Sequence, residues 1–332
     1  VAEFGSPAGG AAPTISVALC TYNGTNYLRE QLRSVLEQTR PPAQLVVSDD
    51  ASSDDTLAIV RELCANAAFP VQILEATQNS GIVANFERAM AACTGEYIAL
   101  SDQDDRWHPD KLEQVATRIA AEPASRAALF YHDPELIDGS GAPLGKTFLQ
   151  SARLTPPQVE LWRMLCVGNF VPGCTMVFAR EALQSLLPMP AQAILHDWWI
   201  LLYFSLCGEV HRMDNAGMSY RLHDDNAQGV GTLQSGISAG ARQGFLKLAS
   251  SNLAVTLRQA RAMRDRLRAT GMEYPPDYDA ICELLDRPGY RRPGFLRRLG
   301  VHRGNRLKTL LTLLASTRVQ QSQLDDPELT YV

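Results

Sequence analysis

The feature that most limits what this chain can fold into is the order of its first 131 residues, where short β-branched or apolar runs alternate with amphipathic helical patterns. Parallel neighbours cannot be joined by a tight turn and need a crossover, so this alternation predicts a parallel α/β sheet. Strands are expected over Ile15 to Cys20, Gln44 to Ser48, Val71 to Glu75, Tyr97 to Ser101 and Ala127 to Tyr131. The helical patterns between them run over Tyr27 to Gln38, Asp54 to Asn66, Ile82 to Ala92 and Pro109 to Ala121. Asp54 reads as an N-cap, and Pro109 suits a first helical turn.

Polar clusters follow the strands: Thr21-Tyr22-Asn23-Gly24, Asp49-Asp50, Asn79-Ser80-Gly81 and Asp102-Gln103-Asp104-Asp105. Open α/β sheets bind ligands outside the carboxyl ends of their strands, so four polar loops are expected to converge on one crevice.

Further along the pattern changes. Asp138-Gly139-Ser140-Gly141 predicts a hairpin turn, Pro156 to Cys166 a helix, Cys174 to Phe178 a strand and His196 to Leu206 a helix. Glu209 to Met213 and Gly217 to Leu222 read as a closing pair of strands. From Leu233 to Thr317 the pattern is helical, with breaks at Pro275-Pro276, Pro288-Gly289 and Pro293-Gly294. The expected division is a cloning linker over 1–13, a catalytic domain over 14–232 with halves 14–132 and 133–232, and a helical C-terminal region over 233–332.

Hydrophobic content of 45% and charged content of 20% fit a globular chain, and a net charge of -5 gives no global reason to bind nucleic acid. The seven cysteines are scattered, with no CxxC pair, which argues for packing roles in a reducing cytosol and against structural zinc. No run reaches the roughly 18 to 20 apolar residues of a membrane span, and no signal peptide is read at the start. A cytoplasmic location, peripheral to the inner face of the membrane or free of it, is the expectation.

Asp102-x-Asp104, with Asp105 beside it, ends a short strand with carboxylates at the mouth of the sheet. Mg²⁺ or Mn²⁺ prefers oxygen ligands and can share its shell between one or two carboxylates and a diphosphate. The bland alternative is an acidic turn ahead of a helix N-terminus. No G-x-G-x-x-G follows the first strand and no Walker lysine motif occurs, which removes the dinucleotide oxidoreductase that would share such a sheet.

CTYNG, SDDASSDDT, NSGIVANF and LSDQDDRWHPDKL, one after each of the first four strands, resemble glycosyltransferase family 2, the inverting enzymes of the GT-A fold. The resemblance covers roughly Thr14 to Asp225, and HDWW and YRLHDDN are most similar to the branch of bacterial rhamnosyltransferases and related polysaccharide or O-antigen enzymes. It implies an α/β chain with a Rossmann-like, mostly parallel sheet and a helical C-terminal extension. It also implies transfer of a sugar, such as rhamnose, from a dTDP- or UDP-sugar to a saccharide or lipid-linked acceptor.

By that resemblance Thr21, Tyr22 and Asn85 contact the nucleotide, Asp50 bonds the pyrimidine base, and Asp49 is structural. Asp102 meets the ribose or the metal, and Asp104 ligates the metal. Asp197, in His196-Asp197, is the general base; its rival role is capping the helix that follows. Trp198 and Trp199 are candidates for an acceptor platform, although neighbours on a helix point about 100° apart and cannot both face one site. His223 is a third metal ligand or a diphosphate contact, with Arg221 as a rival for the diphosphate. Cys174, in VPGCTMVF, is read as packing.

A sugar-nucleotide hydrolase or nucleotidyltransferase could use the same carboxylates, and a binding module lacking activity is the non-enzyme alternative. From Arg287 to Lys308 stand eight Lys or Arg and no acid. The segment Phe295 to Leu314 mixes these with leucines, as expected of an amphipathic helix that lies on an anionic membrane, docks on the catalytic domain or joins a homo-oligomer.

Overall fold

The computed structural model describes residues 12–121, 127–157, 160–223, 242–303 and 306–331. The linker residues up to 11, the loop residues Asp224, Asp225 and Asn226, and the start of the C-terminal helical region from Leu233 lie outside the described residues.

Strands β1 (Ile15–Thr21), β2 (Gln44–Asp49), β3 (Val71–Glu75) and β4 (Tyr97–Ser101) pair in parallel in the order β3-β2-β1-β4. The crossovers are helices α1 (Leu28–Leu36), α2 (Thr56–Cys64) and α3 (Ile82–Ala91), and α4 (Lys111–Ala121) follows β4. Every residue of β1 and β2 is buried, as sheets covered on both faces require. Val17 and Leu19 of β1, with Leu45 and Val47 of β2, join Leu28, Leu32 and Val35 of α1, Ile59 and Val60 of α2 and Leu112 and Val115 of α4 in one apolar cluster. The alternate residues Ala18 and Val46 are equally buried outside that cluster, as are Phe86 and Met90 of α3. The period of two therefore puts helices on both faces. Truncating a central residue such as Leu19 to Ala would cost about 2–5 kcal/mol.

The sheet extends through β6 (Ala128–Tyr131), β9 (Met176–Ala179) and β10 (Glu209–Arg212), in the order β10-β6-β9-β4, with β9 antiparallel to both neighbours. A second sheet has the order β5-β11-β7-β8, from β5 (Arg106–Trp107), β11 (Met218–Leu222), β7 (Glu135–Asp138) and β8 (Pro143–Thr147). The expected hairpin turn joins β7 to β8, where the Asp138 carboxylate accepts the Ser140 N–H at 2.9 Å.

Four local expectations are corrected. The last two strands do not pair with each other: β10 adds to β6, and β11 runs parallel to β7 in the other sheet. His132 fills the inside of their connection, bonding the Asn215 carbonyl at 3.0 Å and lying so close to Gly217 (φ +62) that a Cβ there would meet its ring at 2.4 Å. Among the described residues of the segment Pro156 to Cys166 only Trp162–Leu165 is α-helical, because Glu160 takes a left-handed φ of +54 that a continuous helix excludes. The cap of α2 is Asp55, while Asp54 accepts from the Thr56 N–H at 3.1 Å. Pro293-Gly294 does not break a helix but lies in the first turn of Arg292–Arg298, where proline's missing N–H costs nothing.

The chain divides into two compact units, one of residues 1–148, 171–189 and 208–229, the other of 149–170, 190–207 and 230–332. In the second, the helix His196–Cys207 is buried on ten of its twelve residues, as a helix apolar all round must be. The segment Phe295 to Leu314 is not one helix. The helix Arg292–Arg298 closes at Gly300 (φ +66) in a Schellman arrangement, with Val301 N–H on the Leu296 carbonyl, and Arg306–Ser316 follows separately. Phe295 and Leu296 are buried, so the first helix packs within its own unit. Among the described residues no helix is long and apolar enough to cross a membrane.

Candidate functional site

After β3 the chain returns to the other side of β1, so the strand order reverses between β1 and β4. A crevice opens at such a point, outside the strand ends. The loops there are bonded to one another. Gln103 spans the crevice, accepting the Tyr22 N–H at 2.8 Å and donating to the Tyr22 carbonyl at 3.0 Å. Gly24 leaves room for it, since a Cβ there would stand 2.3 Å from the Gln103 carboxamide and displace it. Thr21 is buried and donates to Asp49 at 2.7 Å, and Asp49 also accepts from Ser52 N–H at 2.8 Å. Of the CTYNG residues, Tyr22 is the large side chain left accessible, at 46%.

Asp50 is 2% exposed. It accepts from the Ser80 N–H at 3.0 Å, the Ser80 hydroxyl at 2.6 Å and the Gly81 N–H at 2.8 Å, with Arg88 at 3.6 Å. Burial alone would raise its carboxyl, but the Ser80 and Gly81 bonds, with the Arg88 charge, outweigh it and hold the group below the ordinary value. Asp50 therefore anchors the turn ahead of α3, and most of its acceptor capacity is used within the protein. Asn85 likewise donates to the Thr21 carbonyl at 3.3 Å and accepts from Arg88 at 2.7 Å.

A stability prediction follows from the sign of that shift. Asp50→Asn is expected to cost about 1–3 kcal/mol at neutral pH. A depressed folded value means that the stabilisation is present above the unfolded value near 3.9 and is lost as pH falls through the folded one. Denaturant unfolding of both proteins at pH 7 and pH 3 checks this; a gap that does not narrow at pH 3 contradicts it.

At the end of β4, Asp104 Oδ2 lies 2.9 Å from His223 Nε2, and the two side chains remain 20% and 11% exposed. Ligand atoms about 2.1 Å from one octahedral ion at right angles stand about 3 Å apart, so this pair fits a divalent cation. Asp102 is partly exposed, and one of its oxygens lies within 4.8 Å of ligand atoms of Asp105 and Cys174. Those two are poorer partners for a hard cation. Burial first, and the Asp104 charge second, push Asp105 up to about 7, and burial pushes the Cys174 thiol far up. The donors that suit Mg²⁺ or Mn²⁺ are the Asp104–His223 pair and, in the separate group with Asp105 and Cys174, the carboxylate of Asp102.

Arg221 does not present its charge to solvent. It is 1% exposed, donates from Nε to the Asp104 carbonyl at 2.8 Å and from Nη1 to the Gly139 carbonyl at 3.3 Å, and pairs with Glu30. Its own N–H binds Asp105 Oδ1 at 3.1 Å. The expectation of a diphosphate contact is thereby corrected: the buried guanidinium fixes the Asp104-Asp105 loop. Below it Lys111, wholly buried, donates to the Cys174 carbonyl at 2.8 Å and lies 3.8 Å over the Trp107 ring, and burial lowers its ammonium to about 7.

The second unit holds the other candidates. Asp197 is 7% exposed in the first turn of His196–Cys207 and accepts from the Trp198 N–H. Burial holds His196 down to about 3, so its imidazole is neutral at physiological pH. Trp198 and Trp199 are 2% and 0% exposed, and the Trp198 indole donates to the Leu165 carbonyl at 2.8 Å. The expected exposed platform is corrected for both: in an all-round apolar helix the indoles fill the core.

Gln103, Arg88, Glu30 and Lys111 are the positioning residues that sequence reasoning missed. Gln103 and Lys111 stand inside LSDQDDRWHPDKL and Arg88 three residues after Asn85 on one helix face, so all three left a signal; Glu30 left none.

The sequence model of glycosyl transferase family 2 matches residues 16–185. A dTDP-rhamnosyl transferase, RfbG of Shigella flexneri, is 29% identical over 227 residues, 64% of this chain and 74% of that protein. The match spans 66% and 59% of the length of two further curated relatives, an uncharacterized glycosyltransferase of Nostoc sp. and a protein of Mycobacterium bovis. S. aureus TarS 1-349 in complex with UDP-GlcNAc shares the fold with a TM-score of 0.53 at 18% identity, over 92% of this chain and 91% of that one. The mannosyltransferase PcManGT of Pyrobaculum calidifontis, in complex with GDP-Man and Mn²⁺, gives 0.53 at 18% identity, over 93% and 87%.

Proposed function

The chain belongs to glycosyl transferase family 2 and has the GT-A fold, and from that premise we propose that it is an inverting, metal-dependent glycosyltransferase. The observation that carries this reading is the Asp104–His223 pair in the loop after β4, with Tyr22 exposed in the loop after β1. The proposed donor is a nucleoside diphosphate sugar, dTDP-rhamnose or a UDP-sugar, and RfbG supports the first. The acceptor is a saccharide or lipid-linked saccharide of a bacterial surface polysaccharide, met in the cytoplasm at the inner face of the membrane.

In this mechanism Tyr22 lies against the nucleoside, while Thr21, Asp50, Asn85 and Gln103 hold the loops around it. Asp102, Asp104 and His223 would hold Mg²⁺ or Mn²⁺, whose chemistry when bound is to neutralise the departing diphosphate. Asp197 takes the proton of the acceptor hydroxyl. The acceptor oxygen attacks the anomeric carbon as the bond to the diphosphate oxygen breaks, and the pair of electrons leaves with the nucleoside diphosphate. No covalent intermediate forms, so the anomeric configuration inverts. Neutral His196 and the uncharged, buried Cys174 take no part.

Release of UDP, dTDP or GDP from a donor panel, with and without a saccharide acceptor, tests the reading. Acceptor-dependent release with an inverted product supports it; hydrolysis that ignores the acceptor would favour a nucleotide-sugar hydrolase.

A further inference from the structure

Between Arg287 and Leu324 the chain carries nine Lys or Arg and no acid, although its net charge is -5. Arg292 spends its guanidinium on structure: it donates to the carbonyls of Arg287 at 2.9 Å, Leu285 at 3.2 Å, Ser316 at 3.2 Å and Val319 at 2.7 Å. Gly289 lies so close to the Thr317 carbonyl that a Cβ would stand 2.7 Å from it. The turn Gly289–Arg291 is thus fastened to the end of the helix Arg306–Ser316.

That fastening gathers one kind of surface. Tyr290 is 76% exposed, more than any other large hydrophobic among the described residues, and Leu310 and Leu314, one helical turn apart, are 52% and 46% exposed. Arg287, Arg291, Arg297, Arg298 and Arg318 are exposed on the same stretch of chain, and none of the five is paired with a described acid. An aromatic with a polar tip, leucines and arginines that no described acid neutralises, Arg291 among them lying 5.4 Å over the Tyr290 ring, have the composition of a surface that enters the headgroup layer of an anionic bilayer. Nucleic acid would use the arginines but would leave Leu310 and Leu314 without a role.

We infer that the face formed by Tyr290, Arg291, Leu314 and Arg318 docks this chain on an anionic lipid bilayer. It names the surface for the peripheral location proposed above and rests on that reading. The burial of Phe295 and Leu296 places the contact on the turn and the outer face of the next helix, not on the segment as a whole.

Vesicle flotation of the full chain, with phosphatidylglycerol-containing and pure phosphatidylcholine vesicles, tests the inference. Binding is expected for the anionic vesicles alone and is expected to weaken at high salt. Each surface cation near a charged membrane contributes about five-fold, so Arg291→Gln with Arg318→Gln should weaken binding by on the order of 10-fold or more. Arg291→Lys with Arg318→Lys should retain it, because a diffuse surface reads charge and not the guanidinium fork. Tyr290→Ser should weaken binding without changing its salt dependence. Far-UV circular dichroism checks the fold of each variant, and turnover with a soluble acceptor should be unchanged in all. Equal binding to both vesicles, no loss in the Gln variant, or binding to nucleic acid but not to vesicles overturns the inference. Failure of vesicle binding with intact turnover removes this surface and leaves the enzyme reading standing.

Discussion

Asp104→Asn is expected to reduce sugar transfer by about 10²- to 10³-fold, the effect of losing several kcal/mol of charge stabilisation at the leaving group. The fold should survive, because the side chain is partly exposed and the Asp104 carbonyl, not its carboxylate, carries the bond to Arg221. His223→Ala should weaken the apparent Mn²⁺ affinity by about 10- to 100-fold. The double variant should lose less than the product of the two effects, since both act on one site. Steady-state rates over a Mn²⁺ series, with circular dichroism as the control, measure this. Unchanged transfer by Asp104→Asn, or full activity of the parent in excess chelator, would remove the metal from the account.

Asp197→Asn is expected to lower turnover by roughly 10²- to 10⁴-fold, the range for a lost general base, with donor affinity unchanged. The competing role is local: Asp197 lies in a first helical turn and accepts from the Trp198 N–H, so it stabilises its helix whether or not it does chemistry. Asn keeps an acceptor oxygen, so a capping role predicts a small change in stability and little change in rate. Turnover, donor binding and the thermal midpoint, read together, separate the two. A variant with spared turnover and a lowered midpoint would make Asp197 a helix residue.

The parallel half of the fold was legible because each strand from β1 to β4 is a short apolar run with a polar cluster at its end, and the boundaries agree to within a residue. Crossover helices with a buried apolar stripe leave little choice of arrangement. Pairing was less legible. Nothing local in Glu209 to Met213 says that these residues add to β6, since the partner strand Ala128–Tyr131 lies far back in the chain.

In the site, residue type and loop position were legible while side-chain commitments were not. Arg221 reads from sequence as a cation beside a diphosphate, yet Glu30 and the carbonyls of Asp104, Asp138 and Gly139 consume its donors. Trp198 and Trp199 are followed by the apolar run Ile200 to Phe204, and that signal pointed to burial. Asp50 shows the same limit, because its partners Ser80 and Gly81 come from the loop after another strand.

The loops at the β1/β4 switch point are proposed to hold a nucleoside diphosphate through a divalent cation at Asp104. Titration calorimetry of the full chain with UDP, dTDP and GDP in turn, in Mn²⁺ and then in EDTA, tests it most directly. One of the three is expected to bind once per chain in Mn²⁺, with EDTA or Asp104→Asn each weakening it by about 10-fold or more. Binding of none of them to the parent protein, or binding indifferent to both EDTA and Asp104→Asn, would contradict it.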